Sequence, residues 1–209
     1  MKASIVLATY CPNKDRYSLC ERSFSEIHRT GMKRNEYELI VVNNGGIHTD
    51  LIERLDADVV ITNSKNLGQG AALNEGICIA RSKNLALMDD DLSYREGWLQ
   101  EGLGVLYLHP AHVVSMTDIG HKYITAPAGQ GHSYARKVGG IWILRKSVYY
   151  KVGRFASGVH NYGGMWTRNL IRSGSRFVVT DTPLIFHLGK GKSLRPTYVK
   201  ELAHERSGL

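Results

Sequence analysis

Short apolar runs alternate with polar, helix-compatible stretches through the first hundred residues. Ser4-Ile-Val-Leu-Ala-Thr9 is rich in β-branched residues and stops at Tyr-Cys-Pro-Asn, which predicts a buried strand and its exit turn. Over 17–28, Leu19, Phe24 and Ile27 stand at helical spacing on a polar background and predict an amphipathic helix. Residues 38–43 repeat the strand pattern and end at Asn-Asn-Gly-Gly, a turn signal. A short helix over 50–55 and a third strand over 57–62 follow. Residues 66–80 are helical once past their glycines, and Leu85-Ala-Leu-Met88 is a fourth strand running straight into Asp89-Asp90-Asp91.

Strands and helices alternating at this spacing predict a parallel sheet with right-handed crossovers, and ligands of such sheets bind beyond the carboxyl ends of the strands. Thr9-Tyr10, Asn43-Asn44, residues 63–70 and the three aspartates all fall at those ends and should converge on one crevice. Beyond Asp91 the pattern predicts a helix over 97–108, a strand over 113–117, and a Gly/His/Lys-rich loop over 122–137. A strand over 139–144, helices over 146–152 and 165–172, and strands over 176–180 and 184–187 complete the fold. From Lys190 the chain reads as a mobile basic tail, so 1–189 is expected to form one domain, with 1–101 and 102–189 as its halves and 190–209 outside it.

Composition narrows the setting. With 209 residues, 43% apolar and 22% charged, the chain is long enough for one substantial core, and disorder or a fibrous class is excluded. No stretch approaches the 18 or so apolar residues of a membrane span, and the apolar run at 3–8 is too short for a signal-peptide core. Cys11, Cys20 and Cys78 are odd in number and widely spaced, which points to neither a disulfide framework nor a zinc cage and fits a reducing, cytoplasmic setting.

The net charge of +8 hides an asymmetry: residues 1–101 carry 12 Lys and Arg against 15 Asp and Glu, whereas 102–209 carry 15 against 4. A basic half attracts polyanions, such as nucleic acid, teichoic acid or an anionic membrane surface.

Three adjacent carboxylates at a strand end repel one another and raise each other's pKa, so something positive should neutralise them. A divalent cation on a substrate diphosphate would do so, since carboxylate oxygens suit magnesium or manganese. The alternative is that Asp90 or Asp91 caps a helix beginning near Ser93.

Six motifs in order bear on that choice. They are Ser4-Ile-Val-Leu-Ala-Thr-Tyr10, Val41-Val-Asn-Asn-Gly45, Asn66-Leu-Gly-Gln-Gly-Ala-Ala-Leu-Asn-Glu-Gly76, Leu87-Met-Asp-Asp-Asp91, residues 140–145 with Val152-Gly-Arg-Phe155, and His187-Leu-Gly189. Together they resemble the family-2 glycosyltransferases over nearly the whole chain. That resemblance implies the GT-A fold: a single Rossmann-like α/β domain with a central, mainly parallel sheet flanked by helices. It implies a nucleotide-sugar donor held by Thr9, Tyr10, Asn43 and Asn44 at base and ribose, with Asn66, Gly68 and Asn74 closing over the nucleotide. Asp89, towards the ribose, and Asp90 complete the donor site, while Asp91 and His187 hold manganese or magnesium.

Two departures from the family pattern stand out. The family usually has an Asp after the second strand, where this chain has Asn43-Asn44. It also has a Glu-Asp pair about a dozen residues before the Gly that ends its helix, where this chain has Tyr162-Gly163-Gly164-Met165. An inverting transfer needs a base within reach of the acceptor hydroxyl. Asp118 is the first candidate, followed by His160, with His121 and Asp181 also nearby in sequence.

The acceptor is expected on the basic half. His121-Lys-Tyr123, His132-Ser-Tyr-Ala-Arg-Lys137 and Arg145-Lys146 with Tyr149-Tyr-Lys151 mix aromatic and basic residues, which suits phosphate contacts with base stacking and also a membrane surface. No helix here has a clean membrane-binding face, which places nucleic acid first. The expected activity is transfer of a hexose, glucose first, from a UDP-sugar to a hydroxyl of a polyanion, with a hydroxymethylated DNA base as the leading acceptor. The alternatives are lipid, teichoic-acid or protein acceptors, or a nucleic-acid-binding module that has lost catalysis. Oligomeric state is not written in the sequence.

Overall fold

The computed structural model describes residues 1–117, 123–136, 138, 141–158 and 162–188. The first half runs β1 (Ala3–Thr9), α1 (Lys14–Glu26), β2 (Tyr37–Asn44), α2 (Asp50–Glu53), β3 (Val59–Asn63), α3 (Gln69–Ile79), β4 (Asn84–Met88), β5 (Leu92–Tyr94) and α4 (Trp98–Leu108). The second half adds β6 (Val113–Ser115), β7 (Ile124–Gly129), β8 (His132–Ala135), β9 (Trp142–Arg145), α5 (Lys146–Val152), α6 (Tyr162–Arg172), β10 (Phe177–Thr180) and β11 (Ile185–His187). Asp118, His121, His160 and the tail from Gly189 lie outside the described residues.

Nine strands form one sheet in the order β3-β2-β1-β4-β9-β6-β10-β8-β7. β9 and β8 run against the other seven, so the sheet is mainly parallel, as expected. β1 and β2 are buried along their whole length because helices cover both faces. The two-residue period of a strand therefore feeds two cores. Ile5, Leu7, Leu39 and Val41 meet Phe24, Ile27, Trp98 and Leu99 beneath α1 and α4, while Val6, Ala8, Ile40 and Val42 meet Leu73 and Ile77 of α3. α3 lies so close that a Cβ on Gly76 would stand 2.4 Å from Val6 Cγ1.

The structure departs from expectation in three places. α1 begins earlier than the periodicity predicts, because Asn13 caps it: its side chain accepts from Arg16 N at 3.1 Å. The segment expected to be a loop over 122–137 contains the β7–β8 hairpin, turned at Gln130 and Gly131 with φ of 55° and 75°. Alanine, glycine and proline mask its alternation, and its order comes from β8 pairing with β10. Residues 92–94 form a strand antiparallel to β11, so no helix begins near Ser93 for Asp90 or Asp91 to cap.

Candidate active site

The loops leaving β1, β2 and β3 are packed against one another. Asn43 holds the β2 exit turn, accepting from Gly46 N at 2.8 Å and donating to Gly46 O at 3.2 Å, and Ile47 N donates to Cys11 O at 3.3 Å. Gly45 has φ of 85°, and a Cβ there would sit 2.5 Å from Lys65 C, so this turn requires glycine. Asn44 Oδ1 accepts from Leu67 N at 3.0 Å and Asn63 Nδ2 at 3.3 Å, and its Nδ2 donates to Asn66 Oδ1 at 2.8 Å. Asn66 Oδ1 also accepts from Gly68 N, while its buried Nδ2 has no hydrogen-bond partner among the described residues. The polar clusters thus converge, as expected, but Asn43 and Asn44 spend their amides on shaping the loops.

Asn74 is also engaged. Its Oδ1 accepts from the Tyr149 hydroxyl at 2.6 Å and Phe155 N at 3.0 Å, and its Nδ2 donates to Phe155 O at 2.9 Å. It ties the chain after α5 to α3, and Gly158 N reaches Leu67 O beside Gly68, the N-cap of α3. The polar atoms of the Asn74 side chain are thus engaged within the chain.

The three aspartates are not equivalent. Asp90 is buried: its Oδ2 accepts from Thr9 Oγ1 at 2.9 Å and Tyr10 N at 2.8 Å, and its Oδ1 is gripped by Arg16 Nη2. Both of its oxygens and the Thr9 hydroxyl are engaged within the chain, and these bonds brace the β1 and β4 exits. Asp91 Oδ2 lies 3.2 Å from Arg16 Nη1, and its Oδ1 lies 3.6 Å from His187 Nδ1. Asp89 Oδ1 accepts from Gln69 Nε2.

Asp89, Asp91 and His187 each offer a ligand atom within 4.8 Å of the others. β5 and β11 make this possible: Leu92 pairs with His187, and Leu188 N donates to Asp91 O at 2.8 Å. Burial and the nearby Asp91 carboxylate push Asp89 up to about 7. Burial would raise Asp91 too, but His187 and Arg16 outweigh it and hold Asp91 below the usual carboxylate range. Burial opposes the charge on Arg16, but Asp90 and Asp91 overcome it and keep the guanidinium charged. Two carboxylates and an imidazole, at least one carboxylate short of positive charge, are a donor set that fits magnesium or manganese.

Arg16 and Gln69 are functional neighbours that the sequence reading missed. The available signal was the need for positive charge beside three aspartates, met in part by an arginine in the first turn of the helix after β1.

The basic half looks different in three dimensions. Lys146 Nζ donates to Ala80 O at 2.6 Å and Lys151 Nζ to Ser173 O at 2.6 Å, so both cap carbonyls at helix ends. Tyr149 is buried, Tyr134 lies under Arg176, and His132 faces His109. These side chains serve the fold, while Arg136 and Tyr150 remain exposed. Among the described residues, no helix is long and apolar enough to cross a membrane.

The S. aureus TarS 1-349 crystal structure in complex with UDP-GlcNAc superposes with a TM-score of 0.69 at 15% identity, covering 97% of this chain and 64% of that one. TarS 1-349 gives 0.65 at 14% identity, covering 90% and 60%, and a further TarS structure gives 0.66 at 14%, covering 97% and 38%. This chain spans less than two thirds of each TarS chain, and the likeness establishes a shared GT-A fold. No curated protein sequence matches. The glycosyl transferase family 2 model matches residues 4–170, which runs from β1 through most of α6 and takes in Asp89 and Asp91 but ends before His187. The chain belongs to glycosyl transferase family 2.

Proposed function

We propose that this chain is a metal-dependent glycosyltransferase that moves a sugar from a UDP-sugar to a hydroxyl on a polyanionic acceptor. The observation that carries this reading is the grouping of Asp89, Asp91 and His187 at the carboxyl ends of the central strands. A divalent cation held there would neutralise the donor diphosphate as it leaves. Asp90 and Arg16 keep Asp91 in place, and Gln69 orients Asp89. Asn66, whose Nδ2 has no partner among the described residues, is the amide of the loop cluster with a donor still available. Glucose and N-acetylglucosamine are the first sugars to test, the second because a TarS structure of the same fold holds UDP-GlcNAc.

Asp118 is proposed as the base that takes the acceptor proton, with His160 as the alternative. Thr117 bridges to Ile185, and Met116 O accepts from Leu184 N and Ile185 N at 2.9 and 3.1 Å, so the chain leaving β6 passes beside the strand that carries His187. Asp118→Asn should lower turnover by roughly two to four orders of magnitude with UDP-sugar binding kept. Unchanged turnover in this variant and in His160→Ala would remove both.

The acceptor is proposed to be phosphate-bearing because residues 102–209 carry 15 Lys and Arg against 4 Asp and Glu. Hydroxymethylated DNA stays in the test panel, but the engaged Lys146, Lys151, His132 and Tyr134 leave teichoic-acid and lipid-phosphate acceptors on an equal footing. The deciding experiment offers labelled UDP-glucose and UDP-GlcNAc with these acceptors in manganese or magnesium and measures released UDP. If the chain cleaves no nucleotide-sugar with any acceptor, the enzymatic reading fails.

A further inference from the structure

His109, at the C-cap of α4, and His132, the first residue of β8, approach each other outside the Asp89, Asp91 and His187 cluster. His109 Nε2 lies 3.3 Å from His132 Nδ1, with the rings nearly perpendicular at 74°. His112 stacks beside His109 at 6.3 Å between ring centroids, and the Tyr134 ring closes the other side. Asp181 supplies negative charge next door: its N donates to Gly131 O at 3.2 Å, and its carboxylate lies 3.5 Å from where a Gly131 Cβ would stand. The charge opposed to a cation here is Arg176, stacked 5.0 Å from the Tyr134 ring centroid.

We infer that His109 and His132 form a second metal site, bidentate through two imidazole nitrogens and selective for a borderline transition ion such as zinc. A tetrahedral ion with metal–nitrogen bonds of about 2.0–2.1 Å separates two ligands by about 3.3 Å, the spacing these nitrogens already have. Two imidazoles favour zinc, nickel or copper, whereas the carboxylate-rich cluster of Asp89, Asp91 and His187 favours harder ions. The two sites differ in kind and should load separately. The new site joins α4 to the β7–β8 hairpin, which otherwise attaches to the sheet through β10. Zinc there would staple the outer edge of the second half.

The test is calorimetric titration of zinc into the full chain in excess magnesium, using the wild type, His109→Gln and His132→Gln. The wild type should bind one zinc more than either variant, or bind it at least tenfold more tightly, with both variants showing the same loss. Equal stoichiometry and affinity in all three would overturn the site. Should the variants fold poorly, as judged by circular dichroism in chelator, copper(II) electron paramagnetic resonance of the wild type in excess magnesium decides instead. The Asp89, Asp91 and His187 cluster offers one imidazole, so a two-imidazole signal supports the His109–His132 site and a one-imidazole signal alone rejects it.

Discussion

Arg16 closes its guanidinium on Asp90 from one side while Thr9 Oγ1 and Tyr10 N close on it from the other, so the middle aspartate is a brace while its two neighbours group with His187. Removing Arg16 would strand a buried carboxylate without its counter-ion. Arg16→Ala is therefore expected to cost about 3–5 kcal/mol of stability, measured by urea unfolding. Asp90→Asn, which keeps the shape and lightens the charge, should cost less. An Arg16→Ala protein as stable as the wild type would contradict this account.

For the metal cluster, Asp91→Asn and His187→Ala should each weaken manganese-dependent UDP binding by about 100-fold or more, beyond the 10–100-fold typical of losing an outer-sphere partner. Calorimetry of UDP with and without manganese checks this without an acceptor. Wild-type affinity in either variant would take that residue out of the site.

Asn74 gives a contrasting expectation. Asn74→Ala removes three buried hydrogen bonds, two to the Phe155 backbone and one from the Tyr149 hydroxyl, and should cost about 1 kcal/mol for each bond lost. Tyr149→Phe removes one of these bonds and should cost less. Thermal unfolding ranks the two variants, and UDP affinity measured well below the melting temperature should change little in either.

The first half of the fold was legible because buried parallel strands are continuous apolar runs and their exits are polar, so β1, β2 and β4 and the loops after them stand out in the chain. The aspartates were legible at the end of such a run, whereas His187 joined them only through the family resemblance of His187-Leu-Gly189. What could not be read was partnership. Arg16 and Gln69 look like ordinary helix-surface residues until α1 and α3 are laid against β4, and Asn43 and Asn44 give no sign in sequence that their amides are spent on Gly46, Asn63, Asn66 and Leu67. The β7–β8 hairpin was hidden because Ala126, Pro127, Ala128 and Gly129 carry no alternating pattern and only the pairing of β8 with β10 orders them.

Glu38 supplies a pH test remote from the cluster. Burial would raise its pKa, but the Ser4 hydroxyl at 2.5 Å and the Arg81 amide and guanidinium, both at 2.7 Å, outweigh burial and hold it below the usual value. A depressed carboxylate pKa stabilises the fold fully above the unfolded value of about 4.3, and the benefit fades as pH falls through the folded value. Acid unfolding followed by tryptophan fluorescence should show Glu38→Gln less stable than the wild type at neutral pH by about 1–3 kcal/mol, with the gap closing below pH 4. A gap that persists unchanged into acid would mean that the charge of Glu38 is not what matters.

The pairing of β5 with β11 brings the final described strand back to the middle of the chain. Asp89 and Asp91 leave the ribosome long before His187, so the cluster cannot assemble while the last part of the chain is still being made. A stalled or proteolytically clipped product ending before β11 would keep the loops around Asn44 and Asn66 yet lack the imidazole. The grouping of Asp89 and Asp91 with an imidazole is therefore complete only once the last described strand is in place.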